Sequence, residues 1–186
     1  MKIKVLFILL IICNNVQSQE AKSNSAIFSY LVDSRLKKIP IKIRIDSAKS
    51  YFVSSFFLNL PDTIFYEDGQ FMALSKTEKE YLSKQFNKKR SFNFDSIDKK
   101  MYQIVNMDSI WKLNLNIIDM WDKYKDIYKD DAYFELYNPL YIKNGTYCVF
   151  EYAYHCCIHY FERKVVLMKY DQKKWKLVSV LDRVEY

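Results

Sequence analysis

Residues 140–181 constrain this chain most. Leu140–Lys143, Thr146–Tyr154, Lys164–Tyr170 and Trp175–Leu181 are short runs rich in β-branched and aromatic residues. Asn144-Gly145 and Asp171–Lys174 stand between them as turns. An Asn-Gly pair favours a two-residue hairpin, because both positions accept a positive φ. Strands joined by so few residues run antiparallel, since a parallel pair needs a crossover of a dozen residues or more. The C-terminal third is therefore expected to form an antiparallel meander.

The rest of the chain supplies helices and a few further strands. Ile39, Ile41, Ile43 and Ile45 alternate with Pro40, Lys42 and Arg44, the period of a strand. Asp46–Ser50 reads as a turn and Tyr51–Leu58 as a second strand. Glu67-Asp68-Gly69 reads as a hairpin turn between Thr63–Tyr66 and Gln70–Leu74. Ser75-Lys76-Thr77-Glu78 has capping-box spacing and predicts a helix to Asn87, with Leu82 and Phe86 inward. Met101–Val105 reads as a strand. Ile117, Trp121, Tyr124 and Tyr128 form one stripe of a helix, more commonly a buried face than a cofactor-stacking one. Ala26–Lys38 is a further helix candidate, with Ile27, Leu31 and Val32 on one side. The expected fold class is α+β, an antiparallel sheet of about four to six strands with two or three helices packed on one face. By element order a cystatin-like or nuclear-transport-factor-like curved sheet is a fair analogy.

The first eighteen residues read as an export signal. Lys2 and Lys4 form a basic start, Val5–Ile12 is an unbroken apolar run, and Val16-Gln17-Ser18 offers a cleavage site before Gln19. The run is shorter than the ~20 residues that span a bilayer. The expected organisation is a signal peptide over 1–18 and a single α+β domain over 19–186, periplasmic or extracellular, with no transmembrane span in the mature form. Leu10-Ile11-Ile12-Cys13 also resembles a lipoprotein box, which makes a lipid anchor on Cys13 the minor alternative.

Composition excludes several chemistries. The chain has only two glycines, Gly69 and Gly145. It therefore has no glycine-rich phosphate loop, no dinucleotide fingerprint and no Gly-x-Ser-x-Gly elbow. The net charge is +7, but the basic residues are interspersed with acidic ones, and Lys88-Lys89-Arg90 is too short to mark a nucleic-acid site. No nucleic-acid partner is expected.

Reactive side chains concentrate in His155-Cys156-Cys157-Ile158-His159, which holds both histidines of the chain. On an extended strand His155, Cys157 and His159 would share a side and could ligate zinc or copper, with Cys156 or water as a fourth ligand. An in-line triple spans about 13 Å, so one ion would need a bend in the chain. Ordinary packing at a strand end is the competing reading. Cys148, Cys156 and Cys157 are candidate disulfide partners in an oxidising compartment, with Cys148 facing Cys156 or Cys157 if the chain reverses between them. A bond between the adjacent pair, or a simply buried Cys148, are the alternatives. Among carboxylates, Glu151 with Glu162, Glu67-Asp68 and Asp130-Asp131 could act as acid and base. Glu151 interrupts the aromatic run Val149-Phe150-Glu151-Tyr152 near the histidines. An outward position on an alternating strand is the simpler explanation. Asp68 and Asp130-Asp131 also read as turn residues.

Trp121, Tyr124 and Tyr128 on a helix, then Asn138-Pro139, a hairpin, Tyr154-His155-Cys156 and Lys174-Trp175-Lys176 follow a familiar order. In this order the last third of the chain resembles a group of small exported bacterial proteins of unknown function. Asn138 stands where that group usually has Ser, Cys157 where it has Gly, and Tyr160 where it has a second loop cysteine. The resemblance therefore carries over no loop disulfide. It implies an exported domain with a C-terminal sheet and no activity.

The reading that results is an exported, non-catalytic envelope domain that binds a protein, glycan or small ligand. Scarce catalytic motifs and abundant tyrosine favour it. The alternative is a metal-dependent or hydrolytic protein centred on His155–His159.

Overall fold

The computed structural model describes residues 28, 40–44, 55–86, 92, 94–95, 97–157, 160–172 and 174–185. The expected signal peptide with Cys13, the expected 26–38 helix apart from Phe28, the expected 46–50 turn, Lys88-Lys89-Arg90 and His159 lie outside them.

The chain forms strands β1 (Ile41–Arg44), β2 (Thr63–Phe65), β3 (Phe71–Ala73), β4 (Tyr102–Val105), β5 (Ala132–Leu136), β6 (Leu140–Ile142), β7 (Tyr147–Cys156), β8 (Tyr160–Asp171) and β9 (Lys174–Glu185). Helices α1 (Ser55–Leu58), α2 (Lys76–Phe86), α3 (Met107–Trp111) and α4 (Ile117–Tyr128) lie between them. This is an α+β fold built on a seven-stranded sheet of order β4-β1-β5-β7-β8-β9, with β6 also pairing β7; β2 and β3 form a separate hairpin. The expected meander is present as β6 to β9, each pair antiparallel.

Four local expectations change. β1 runs parallel to both β4 and β5, so the sheet is mixed at that end. The long segments that follow β1 in sequence allow the crossovers a parallel pair requires. Within Tyr51–Leu58, residues 55–58 are helical rather than extended. Phe56 and Phe57 are adjacent and both buried, which suits a helical turn pressed on a core and not the alternation of a half-buried strand. The β6–β7 loop is four residues wide, from Ile142 to its partner Tyr147. Lys143, Asn144 and Gly145 all take positive φ, at 51°, 55° and 82°, so the Asn-Gly pair sits inside a larger left-handed turn. β5 was not legible as a strand, because Ala132–Leu136 is covered on both sides and shows no clean alternation.

Elsewhere local chemistry places the elements. The Ser75 backbone N–H donates to Glu78 Oε2 at 2.9 Å, and the Glu78 N–H donates to Ser75 Oγ at 3.2 Å, closing the capping box of α2. Asn116 caps α4 by accepting from the N–H groups of Ile118 and Asp119, both at 3.0 Å. Lys129 ends the helix in a left-handed conformation. Along the expected stripe of α4, Trp121 and Tyr124 are buried and Tyr128 is half-buried, while Ile117 faces solvent.

Strand alternation separates the two faces of the sheet. On one face Ile41, Ile43, Phe134, Leu136, Cys148, Phe150, Val166 and Met168 form a core with Phe28, Phe92, Ile97 and Trp175. The other face carries α1 to α4. Phe56, Phe57 and Leu82 pack with Val149, Val165 and Leu167 toward β8. Met107, Ile110, Trp121 and Tyr124 pack with Val105 and Tyr133 toward β4. Both faces of β7 are thus covered, which puts the middle of that strand at the centre of the molecule. No helix among the described residues is long and apolar enough to cross a membrane.

Candidate functional site

Between the two helical packs, the helix-covered face carries a row of charged and aromatic side chains. Register places Arg44 beside Glu135, Glu135 beside Ala153, and Ala153 beside Arg163, across β1, β5, β7 and β8. Period two adds Glu151 and His155 from β7 to the same face.

The row is knitted together. Arg44 Nη1 donates to Glu135 Oε1 at 3.0 Å, and the Tyr137 hydroxyl donates to Glu135 Oε2 at 3.3 Å. His155 Nε2 lies 3.4 Å from Glu135 Oε1. Arg163 forms an ion pair with Glu151, and its guanidinium stands 6.0 Å from the Tyr137 ring. Burial alone would raise the Glu135 carboxyl, but His155, Arg44 and Tyr137 outweigh it and hold its pKa below the ordinary carboxylate range. Arg44 also stacks on the ring of Trp111, 4.0 Å from the centroid.

Glu151 is therefore not an outward strand position. It is 1 % exposed and faces the guanidinium of Arg163. Alternation along β7 holds, but helices cover the side that alternation would otherwise leave wet. The proposed Glu151–Glu162 acid–base pair is excluded by geometry. Glu162 pairs in register with Tyr154, one residue out of phase with Glu151, and so sits on the opposite face. There it meets Lys164 at 2.6 Å and Arg183 at 3.1 Å. Asp68 and Asp130 act as turn residues, accepting from the N–H groups of Gln70 and Asp131 at 3.0 and 2.9 Å.

The chain bends at Cys157, as a single ion held by His155, Cys157 and His159 would require. β7 ends at Cys156, and Cys157 takes a left-handed φ of 55° in the turn toward β8. The shared side of an extended strand does not continue to Cys157. His155 lies stacked on Tyr133, with centroids 4.6 Å apart, and against Phe161 at 4.8 Å, with Nε2 turned to Glu135. Among the described residues no group of three His, Cys, Asp or Glu side chains converges as metal ligands; His159 is not among them.

The cysteine reading also divides. Cys148 and Cys156 lie on the same unbroken strand, so the chain does not reverse between them. Eight residues of strand separate their Cα atoms by about 26 Å, far beyond disulfide reach. Cys148 is fully buried, and burial pushes its thiol pKa well up. It is a small apolar core residue. Cys156 and Cys157 stand together at the turn, with sulfurs 3.9 Å apart.

One surface was not anticipated. The α3–α4 connection turns Trp111, Leu113, Leu115, Ile117 and Ile118 to solvent, each between 39 % and 56 % exposed. The Leu-Asn-Leu-Asn spacing of 113–116 was the available signal, but only the tertiary arrangement shows that nothing described covers it. No family model, curated protein or solved structure matches the chain.

Proposed function

We propose that this chain is an exported, non-catalytic interaction module of the cell envelope that binds a protein partner through the α3–α4 surface. The observation that carries the reading is the run of exposed apolar residues from Trp111 to Ile118. Five large apolar side chains are exposed within these eight residues, interleaved with Lys112, Asn114 and Asn116, and apolar groups gathered at the surface within a polar frame mark binding surfaces. Trp111 supplies an ordered anchor. Its ring is held by Arg44, and its Nε1 donates to Met120 Sδ at 3.1 Å. A tryptophan fixed before binding loses little entropy on contact, which suits a hot spot. Aliphatic Leu and Ile beside it suit a protein surface better than a sugar. The Met1–Ser18 leader supports export.

Site-specific photocrosslinking in cells tests the reading. A photoreactive residue at Leu113 or Ile117 should give one discrete adduct, in the exported fraction, that Trp111→Ala removes. The same probe at Lys84, on the exposed side of α2, should give none. Adducts equal at all three sites, or absent from all, would refute the reading.

A further inference from the structure

We propose that Cys156 and Cys157 form a reversible two-electron redox site at the β7–β8 turn, closing to a vicinal disulfide by exchange with an external disulfide. The geometry eliminates every other intrachain pairing among the described cysteines, since Cys148 lies far along the same strand with its thiol sealed in the core. The two remaining sulfurs are already in contact at 3.9 Å. Closing the bond brings them about 2 Å nearer, a movement that side-chain rotation at a turn can supply.

The turn holds the pair in place. The Cys157 N–H donates to the Asp131 carbonyl at 3.2 Å, tying the turn to the start of β5. The two thiols are inequivalent. Cys157 is exposed and Cys156 half-buried. Burial is the largest influence on the Cys156 thiol and raises its pKa, and the exposure of Cys157 makes it the sulfur that an external disulfide meets first.

The exchange balances in two steps. The Cys157 thiolate attacks one sulfur of the external disulfide, whose S–S bond breaks and releases one thiolate. Cys156, on losing its proton, attacks the Cys157 sulfur of the mixed disulfide and expels the second thiolate. The two cysteines are oxidised by two electrons, the external disulfide is reduced to two thiols, and the two cysteine protons end on those thiols. Adjacent residues hold their Cα atoms about 3.8 Å apart, below the usual disulfide range of roughly 4.4–6.8 Å. The product is therefore readily reduced, which makes it a reversible bond and not a structural staple.

The test equilibrates the folded protein with graded ratios of oxidised to reduced glutathione, traps thiols by alkylation, and maps modified peptides by mass spectrometry. The wild type should lose alkylation at 156 and 157 together, two hydrogens lighter, and regain it as the ratio is reversed, with Cys148 unmodified throughout. Cys156→Ser and Cys157→Ser should each stop at a mixed disulfide with glutathione. A wild type that stops at the mixed disulfide, forms an intermolecular bridge, or links Cys148 overturns the proposal.

Discussion

The Glu151–Arg163 pair offers the sharpest test of how the centre of this sheet is held together. Both side chains are nearly sealed, at 1 % and 5 % exposure, and they neutralise each other on the helix-covered face of the sheet. Replacing Glu151 with Leu leaves a guanidinium in the interior without its carboxylate. Replacing Arg163 with Met leaves the reverse. Breaking one side of a buried pair costs about 3–5 kcal/mol. In a domain of this size each kcal/mol lowers the melting temperature by about 2–4 °C, so either single variant should melt roughly 6–20 °C lower. The double variant Glu151→Leu/Arg163→Met removes both charges and fills the space with apolar atoms, and should lie within about 1 kcal/mol of wild type or above it. Thermal and urea unfolding of the four proteins at neutral pH gives a double-mutant cycle with a coupling of about 3 kcal/mol or more. Single variants that each stay within about 1 kcal/mol of wild type, or a double variant as unstable as the worse single, would refute the reasoning.

Three further predictions follow from local geometry. Burial acts to raise the Glu78 carboxyl, but hydrogen bonds from Lys143 and Ser75 bring it from 4.5 down to about 2. A lowered carboxylate contributes stability above its ordinary pKa and loses it on acidification, so wild type should lose stability relative to Glu78→Gln between pH 4.5 and 2 in urea titrations. The Tyr124 hydroxyl donates to the Ala132 carbonyl at 2.8 Å in the core, and Tyr124→Phe should cost about 1–2 kcal/mol in the same assay. Native protein exposed to an aromatic disulfide reagent should react first at Cys157, with Cys148 modified only at the rate of unfolding; equal rates would contradict its burial.

Much of the fold could be read from the residues because its signals are local. The Ser75–Glu78 box, the isoleucine alternation of β1 and the C-terminal meander all depend on neighbours within a few positions. Ala132–Leu136 is illegible because burial on both faces erases the period, and 55–58 folds as helix where a strand is expected because a short apolar run fits both equally.

The candidate sites divide along the same line. By itself the sequence determined the α+β class, the hairpins, the capped start of α2, the buried stripe of α4, and the gathering of cysteine and histidine near 155–159. Which side chains meet was left to the tertiary structure. Arg44, Glu135, Tyr137, Glu151, His155 and Arg163 come from four regions of the chain and converge only once β1 lies parallel to β5 and β5 antiparallel to β7. Cys148 and Cys156 were separated by the same means, since a strand that runs on without turning keeps its two ends apart. Strand order and register are set by long-range packing, and no window of neighbouring residues encodes them.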